Sequence, residues 1–498
     1  MPAPIGCGAA APVGSRAGLE TLQPTYLNDC RRYPMSTIHE QVLASHDPAS
    51  GEVVGEVPVT PAADIAGIVD EAREAAAPWR ALTHEERAGR LALAGEALVD
   101  RSEELGTLLS REMGKPRARG IGEVRSCGTG MRTKAKQAAA ALAPVAEVTN
   151  DVETTIYRDP LGVCAVITPW NYPALTTHWM IVPALMAGNA VVLKPSEETP
   201  LISQAYAEVL MEVLPEGVLR VVHGGDEQGK ALVAASVDLV AFTGSREAGI
   251  HIMGAAAHGL KRLVLELGGK DPLIVLDDAD IDEAARMAVA SSFDNAGQTC
   301  VSAERVFVDA AIADTFEARV VELARDVKAG PWDADGVTYG PMIHARQRDH
   351  VIGHIREALE AGATALLGGL DHPERYVEPT VLTGVTGDMR IAQEETFGPV
   401  VCISRFEAVS DAIREANANP LALGAMVFGG DEARAHDVAR QLDAGMIGVN
   451  RSLGGGGDTP WVGAKQSGFG YHGSPDGTRQ FAQTRVVRRV AAPAAAGS

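Results

Sequence analysis

A chain of 498 residues, 46% of them apolar, can fill two or three domains around large cores, which argues against bulk disorder. Its 65 acidic and 44 basic side chains leave a net charge of −21, which disfavours general binding to nucleic acid or to an anionic membrane, because both need a positive field. The six cysteines (Cys7, Cys30, Cys127, Cys164, Cys300 and Cys402) are scattered, with no C-x-x-C pair, no zinc-type spacing and no secretory leader, so free thiols in a reducing, cytoplasmic compartment are expected and a metal site is not.

Residues 1–35 are rich in Ala, Pro and Gly and lack periodicity, as in a disordered tail. A targeting segment is the other reading of Arg16, Arg31 and Arg32, but Glu20, Asp29 and the missing apolar core speak against it. Met35 is a second candidate start. From 62 to 140 apolar residues recur at helical spacing. The stretch "EVTNDVETTIYRDPLG", 147–162, alternates Thr, Val, Ile and Tyr and predicts an extended hairpin. Residues 160–193 carry no charge and are long enough to span a bilayer, but Pro169, Pro173, Pro183, Asn171 and Gly188 interrupt them, and a buried β-α-β unit is the better reading.

Short apolar runs then alternate with helix-length segments: 162–168, 190–194, 219–222, 239–244 and 262–267. Five strands with crossovers predict an α/β fold with a doubly wound parallel sheet that binds ligands beyond its carboxyl edge. A second alternating section starts near "DPLIVLDD". Its segment 280–293 reads as a helix capped by Asp280 and Glu283 and is followed by the Cys300 loop and the strand "ERVFV". "FAQTRVVRRV" reads as a final strand.

No G-x-G-x-x-G follows these strands, and "GGDEQGKA" lacks the Ser or Thr that a P-loop needs after Lys230. "FTGSREAG", 242–249, is better placed: Gly244 lets amides approach a pyrophosphate and Ser245 can bond a phosphate oxygen, or simply cap a helix. Lys194 ends a strand and can bond ribose hydroxyls, or be a solvated loop lysine. Glu197, three residues on, can accept from those hydroxyls and would repel a 2′-phosphate by about 1–4 kcal/mol, which leans towards NAD over NADP. Cys300, in "NAGQTC", is either a packed thiol or a nucleophile with small neighbours; a free thiol is mostly neutral at pH 7 and needs help to react. Asn171 in "TPWNYP" has an amide to aim at an oxyanion. Glu266 in "LELGGKDP" is a carboxylate in an apolar, glycine-rich setting that suits a general base with a raised pKa. "EETFGPV" adds Glu395 and Phe397.

The set P-W-N, F-T-G-S, L-E-L-G-G-K, G-Q-T-C and E-E-T-F-G-P, in that order between about residues 40 and 490, resembles the aldehyde dehydrogenase superfamily. The resemblance implies a hydrolytic, NAD(P)-dependent enzyme in which Cys300 attacks the aldehyde, Asn171 and the Cys300 N–H hold the oxyanion, and Glu266 activates water against the thioester. It assigns cofactor contacts to Thr168, Trp170, Lys194, Glu197, Gly244, Ser245, Glu395 and Phe397, with NAD preferred and NADP accepted by some relatives. It places Tyr172, Thr176, Trp179, Thr299, Val301 and Trp461 in the substrate tunnel. The arginine that holds a carboxylate in succinic-semialdehyde relatives falls at Trp179. A neutral aliphatic or aromatic aldehyde is therefore expected, with an ω-carboxy aldehyde as the alternative if Arg451 restores a charge contact. Some relatives carry a Lys at Met180 and a Glu at His472 for proton relay. Here that relay must differ, through His472 or with His472 merely a surface residue.

The family architecture implies a Rossmann-type cofactor domain at 36–141 and 161–266, a catalytic domain at 267–475, and an oligomerisation arm from 142–160 and 476–498. A homodimer or homotetramer is expected, because an isolated hairpin is marginal in water and its edges need partners.

Overall fold

The computed structural model describes residues 38–39, 42–453 and 459–491; the expected N-terminal tail lies outside them. The five predicted strands form within a residue or two of expectation: β1 (Val163–Ile167), β2 (Ala190–Lys194), β3 (Leu219–Val221), β4 (Leu239–Thr243) and β5 (Arg262–Glu266). They lie parallel in the order β5-β4-β1-β2-β3. Every residue of β1, β2 and β4 is buried, which explains why these runs are continuously apolar rather than alternating. The order reverses beside β1, so the crevice there opens at the carboxyl ends of β1 and β4. The uncharged stretch becomes β1, a helix and the start of β2; among the described residues no helix is long and apolar enough to cross a membrane.

One further strand completes this sheet. Gly468–Phe469 pairs antiparallel with β5, Leu265 facing Phe469 and Glu266 facing Gly468. It comes from late in the chain, inside the segment expected to be purely catalytic.

The second sheet holds β6 (Asp271–Val275), β7 (Ala303–Asp309), β8 (Thr364–Leu367), β9 (Thr380–Thr383), β10 (Val400–Phe406), β11 (Gly424–Phe428) and β12 (Met446–Val449). Their order is β8-β9-β10-β7-β6-β11-β12, parallel except for β8. The predicted hairpin forms as Val145–Thr149 and Val152–Pro160, and Ala482–Val490 adds a third strand along its whole length. Asn150 and Asp151 turn the hairpin with left-handed φ of 50° and 61°, a conformation Asn and Asp tolerate best after Gly. Val148 and Val490 on this sheet are 64% and 82% exposed.

Candidate active site

Four segments meet at the crevice. The helix α1 (Arg117–Leu142) supplies Glu123, whose carboxylate accepts from the N–H groups of Ala174 (3.0 Å) and Leu175 (3.1 Å). Those amides open α2 (Pro173–Met186), with Pro173 in its first turn where no N–H is needed. Glu123 also takes Lys115 at 2.7 Å, and Lys115 donates to the carbonyl of Asn171 at 2.8 Å. This buried pair fixes the loop that carries Asn171.

The Cys300 loop follows α4 (Ile281–Phe293). Asp280 caps that helix by accepting from the Glu283 N–H at 3.1 Å, as expected, while the Glu283 side chain turns to Arg286 instead of completing a box. After α4 the chain turns through Asn295 and Ala296, both left-handed at φ 53° and 61°. Such backbone strain in residues other than Gly persists only where the surroundings fix it. Here Asn295 donates to the Asn171 carbonyl at 3.1 Å, and the Gln298 side chain accepts from the Ile343 N–H at 3.0 Å. On the far side Gly269 passes so close that a Cβ would sit 2.4 Å from the Cys300 carbonyl, so only glycine fits.

The predicted convergence is present. Cys300 Sγ–H donates to Glu266 Oε1 at 3.4 Å. Glu266 Oε2 accepts from Thr243 Oγ1 at 3.2 Å and faces His472 Nε2 at 3.1 Å. Asn171 donates from Nδ2 to the Gln298 carbonyl at 3.1 Å, which leaves its second N–H for another acceptor. Cys300, Glu266 and Asn171 all line one cavity of about 660 Å³.

The electrostatics correct one expectation. Burial pushes the Glu266 carboxyl up, but the His472 hydrogen bond and charge, with smaller help from Trp461 and Cys300, outweigh it and hold the group below the ordinary carboxylate range. Sequence shows the apolar setting and not the partner 206 residues away. Burial pushes the Cys300 thiol well above its usual value, and the nearby charges of Glu266, Asp271 and Glu395 push it further. The resting pair is a neutral thiol donating to a carboxylate.

Five of the eight residues assigned to the cofactor border this cavity: Trp170, Gly244, Ser245, Glu395 and Phe397. Ser245 caps α3 (Arg246–Ala257), accepting from the Ala248 N–H at 3.3 Å. Glu395 accepts from the Gly269 N–H at 3.0 Å, and Phe397 meets Trp170 edge-on at 5.6 Å. The buried Lys270–Glu304 pair holds this loop, with Glu304 also accepting from the Thr396 and Phe397 N–H groups at 2.7 and 2.8 Å. Lys194 and Glu197 are paired with each other at 3.1 Å near the end of β2, off the wall of the central cavity. Thr168 is also off that wall, its hydroxyl accepting from Thr177 at 3.1 Å. A nicotinamide dinucleotide fits this donor set: a helix N-terminus with a glycine before it, a run of cavity past Glu395 and Phe397, and the sulfur at its far end.

The six residues expected in the substrate tunnel, Tyr172, Thr176, Trp179, Thr299, Val301 and Trp461, all line this same cavity. Two charged residues there were not anticipated. Asp294 accepts from the Tyr172 hydroxyl at 2.6 Å, and Arg119 approaches Asp294 at 3.6 Å. Arg451 is exposed and does not border the cavity, although Ser452 and Leu453 do; 454–458 lie outside the described residues. His472 is 2% exposed, not a surface residue. Among the described residues there is no cluster of side chains able to hold a metal.

Comparison with known proteins places these features in a family. A model of the aldehyde dehydrogenase family matches residues 35–487. A probable NADP(+) succinate-semialdehyde dehydrogenase of Sinorhizobium fredii is 36% identical over 462 residues, which is 91% of this chain and 94% of that protein. The crystal structure of an NAD-dependent aldehyde dehydrogenase from Sinorhizobium meliloti superposes with a TM-score of 0.87 at 35% identity, over 92% of this chain and 93% of that one. A succinate-semialdehyde dehydrogenase from Burkholderia pseudomallei gives a TM-score of 0.87 at 36% identity, over 90% and 94%.

Proposed function

Since the chain belongs to the aldehyde dehydrogenase family and is an NAD(P)-dependent enzyme that oxidises an aldehyde, we propose that Cys300, Glu266 and Asn171 carry out the reaction on a neutral aldehyde. The observation that carries the assignment is the 3.4 Å contact between the Cys300 sulfur and Glu266 on the wall of a cavity that Asn171 shares.

Cys300 adds its sulfur to the aldehyde carbon and forms a thiohemiacetal, its proton passing to Glu266. The free N–H of Asn171 and the Cys300 backbone N–H stabilise the oxygen, and one such donor is worth about 3 kcal/mol. The nicotinamide cofactor, when bound, accepts hydride. Once the first proton has left for solvent, Glu266, held ionised by His472, takes a proton from water, whose oxygen attacks the thioester carbon; the carbon–sulfur bond breaks, the acid is freed and the departing thiolate takes that proton from Glu266. Gly244 and Ser245 would receive the pyrophosphate, Glu395 the nicotinamide ribose and Lys194 with Glu197 the adenosine ribose. Glu197 supports a preference for NAD, which the Lys194 charge beside it softens.

Two substrate classes compete. The names of two relatives, together with Arg119 on the tunnel wall, favour an ω-carboxy aldehyde. Asp294 favours the neutral one: it already neutralises Arg119 and adds a carboxylate that an acidic tail would have to face. The aromatic pair Trp179 and Trp461, centroids 5.3 Å apart, suits an apolar tail. Initial rates with hexanal, benzaldehyde and succinic semialdehyde, each with NAD and NADP, decide the matter. NADH formation fastest with a neutral aldehyde is expected and Cys300→Ala should abolish it; preference for the acid defeats the substrate reading, and full activity of Cys300→Ala defeats the assignment itself.

The arm supports a homo-oligomer. Its exposed valines and open edge strands are the features a second copy would cover.

A further inference from the structure

The tunnel wall is not uniformly apolar. Thr299, Tyr172, Asp294 and Arg119 form a continuous polar run on it. Thr299 immediately precedes the nucleophile, and its hydroxyl lies 3.3 Å from that of Tyr172. The Tyr172 hydroxyl donates to Asp294 Oδ2 at 2.6 Å, and the other oxygen, Oδ1, faces Arg119 Nη2 at 3.6 Å. The run draws on three elements: Arg119 from the first turn of α1, Tyr172 from the residue before α2, and Asp294 from the residue after α4. It is fixed by the bonds that fix the oxyanion amide, because Asn295, next to Asp294, donates to the carbonyl of Asn171, next to Tyr172.

The Arg119–Asp294 pair has hydrogen-bonding capacity to spare. An ionised carboxylate offers about four lone-pair sites, and Tyr172 takes one of them. At 3.6 Å the guanidinium is too far to claim another as a full hydrogen bond, and its side chain has no closer partner among the described residues. Arg119 is the only Lys or Arg among the described residues of the cavity wall. Both members of the pair, with Tyr172, also border an adjoining pocket of about 320 Å³, so the pair stands between two spaces and has room beside it. The side chains are 67% and 37% exposed, so neither is heavily desolvated.

An acceptor and a donor of opposite charge, side by side and half satisfied, select by chemistry. A carboxylate brought to the pair gains Arg119 and is repelled by Asp294; an ammonium meets the reverse, and at similar distances the two contributions largely cancel. A methyl group uses neither and displaces the water that hydrates them. A hydroxyl donates to the carboxylate and accepts from the guanidinium, so it alone uses both.

We propose that the substrate is a neutral aldehyde carrying a hydroxyl group on its chain, and that Asp294 and Arg119 are the residues that select it. The hydroxyl donates to Asp294 and accepts from Arg119, and it is bound without being altered. Trp179 and Trp461 remain for the carbon chain itself.

This inference narrows the aldehyde dehydrogenase reading and rests on it, and the test separates the two. Initial rates of NADH formation are measured with two matched pairs, propanal against glyceraldehyde and hexanal against 6-hydroxyhexanal, and with 6-oxohexanoate and 4-(trimethylammonio)butanal as anionic and cationic probes. Wild type should favour the hydroxylated member of at least one pair by about tenfold in kcat/KM, mostly through KM, and favour it over both ions. In Asp294→Asn and in Arg119→Met that preference should fall to about twofold or less. The ions should move in opposite directions: Asp294→Asn raises 6-oxohexanoate relative to hexanal several-fold, and Arg119→Met does the same for the cation. These are ratios within one protein sample, so a partly folded variant still reports them, and Arg119, the more exposed of the two, gives a second variant if the first fails to fold. The proposal is overturned if wild type prefers the plain alkanal in both pairs, if either ion is the best substrate, or if the hydroxyl preference survives in both variants. A wild type inactive on every aldehyde overturns the functional reading instead.

Discussion

The thiol at position 300 is the most informative single group. Burial and the ionised Glu266 beside it keep it protonated in the free enzyme, so its alkylation by iodoacetamide should be slow at pH 7 and still be climbing at pH 9 without levelling off. The sign of the Glu266 effect is then fixed. Glu266→Gln removes a negative charge beside the sulfur, the thiol ionises more readily, and alkylation at pH 8 should quicken several-fold although turnover collapses. Slower alkylation in that variant would mean that Glu266 already acts as base towards the thiol before cofactor binds. Because the carboxyl is held low, a variant lacking His472 should also lose turnover at a higher pH on the acid limb than wild type does. Asp294 stands on the wall of the same cavity, beside Tyr172 and Arg119. Asp294→Arg should raise kcat/KM for succinic semialdehyde relative to hexanal by about tenfold, one close charge pair at partial exposure; an unchanged ratio would remove Asp294 from specificity.

At the scale of elements, α2 is placed by a device that has nothing to do with helix propensity. Lys115 and Glu123 are 3% and 4% exposed, and together they bind the Asn171 carbonyl and the first amides of the helix. Glu123→Ala strands a buried ammonium and should cost about 3–5 kcal/mol. Glu123→Gln keeps an acceptor for the two amides and should fold, with a lower melting temperature and a reduced kcat as the Asn171 loop loosens. Thermal melts read beside kcat check both. This device was illegible in the chain, since Lys115 and Glu123 lie in no motif and stand 51 to 56 residues before the groups they hold. The strands were legible, because a two-sided buried strand must be written as an uninterrupted apolar run. The cysteine loop, the base and the amide were legible because each sits in a short motif. Arg119, Asp294 and the partner of Glu266 were not, because their roles arise only when separate elements pack. The pKa direction of Glu266 failed for the same reason: an apolar neighbourhood was visible and the imidazole inside it was not.

For the molecule as a whole, the three-stranded arm is the part least content by itself. Val148, Val486 and Val490 are exposed on it at 64%, 57% and 82%. If another subunit covers them, each buried valine adds about 1.5 kcal/mol to assembly. Val148→Asp with Val486→Asp should then shift the protein to a smaller species in analytical ultracentrifugation while its circular dichroism stays native. An unchanged sedimentation coefficient would assign the contact to some other face.

The strand Gly468–Phe469 makes the two halves of this chain inseparable. A fragment cut after Glu266 would leave the hydrogen-bonding groups of β5 bare and ready to recruit foreign strands, so half-length expression should yield inclusion bodies. Recombination meets the same obstacle. A chimera that borrows another enzyme's first half up to residue 266 would separate Glu266 from the segment three residues past Phe469 that carries its imidazole partner, and any such exchange in this scaffold requires residues 262–267 and 460–473 to travel together.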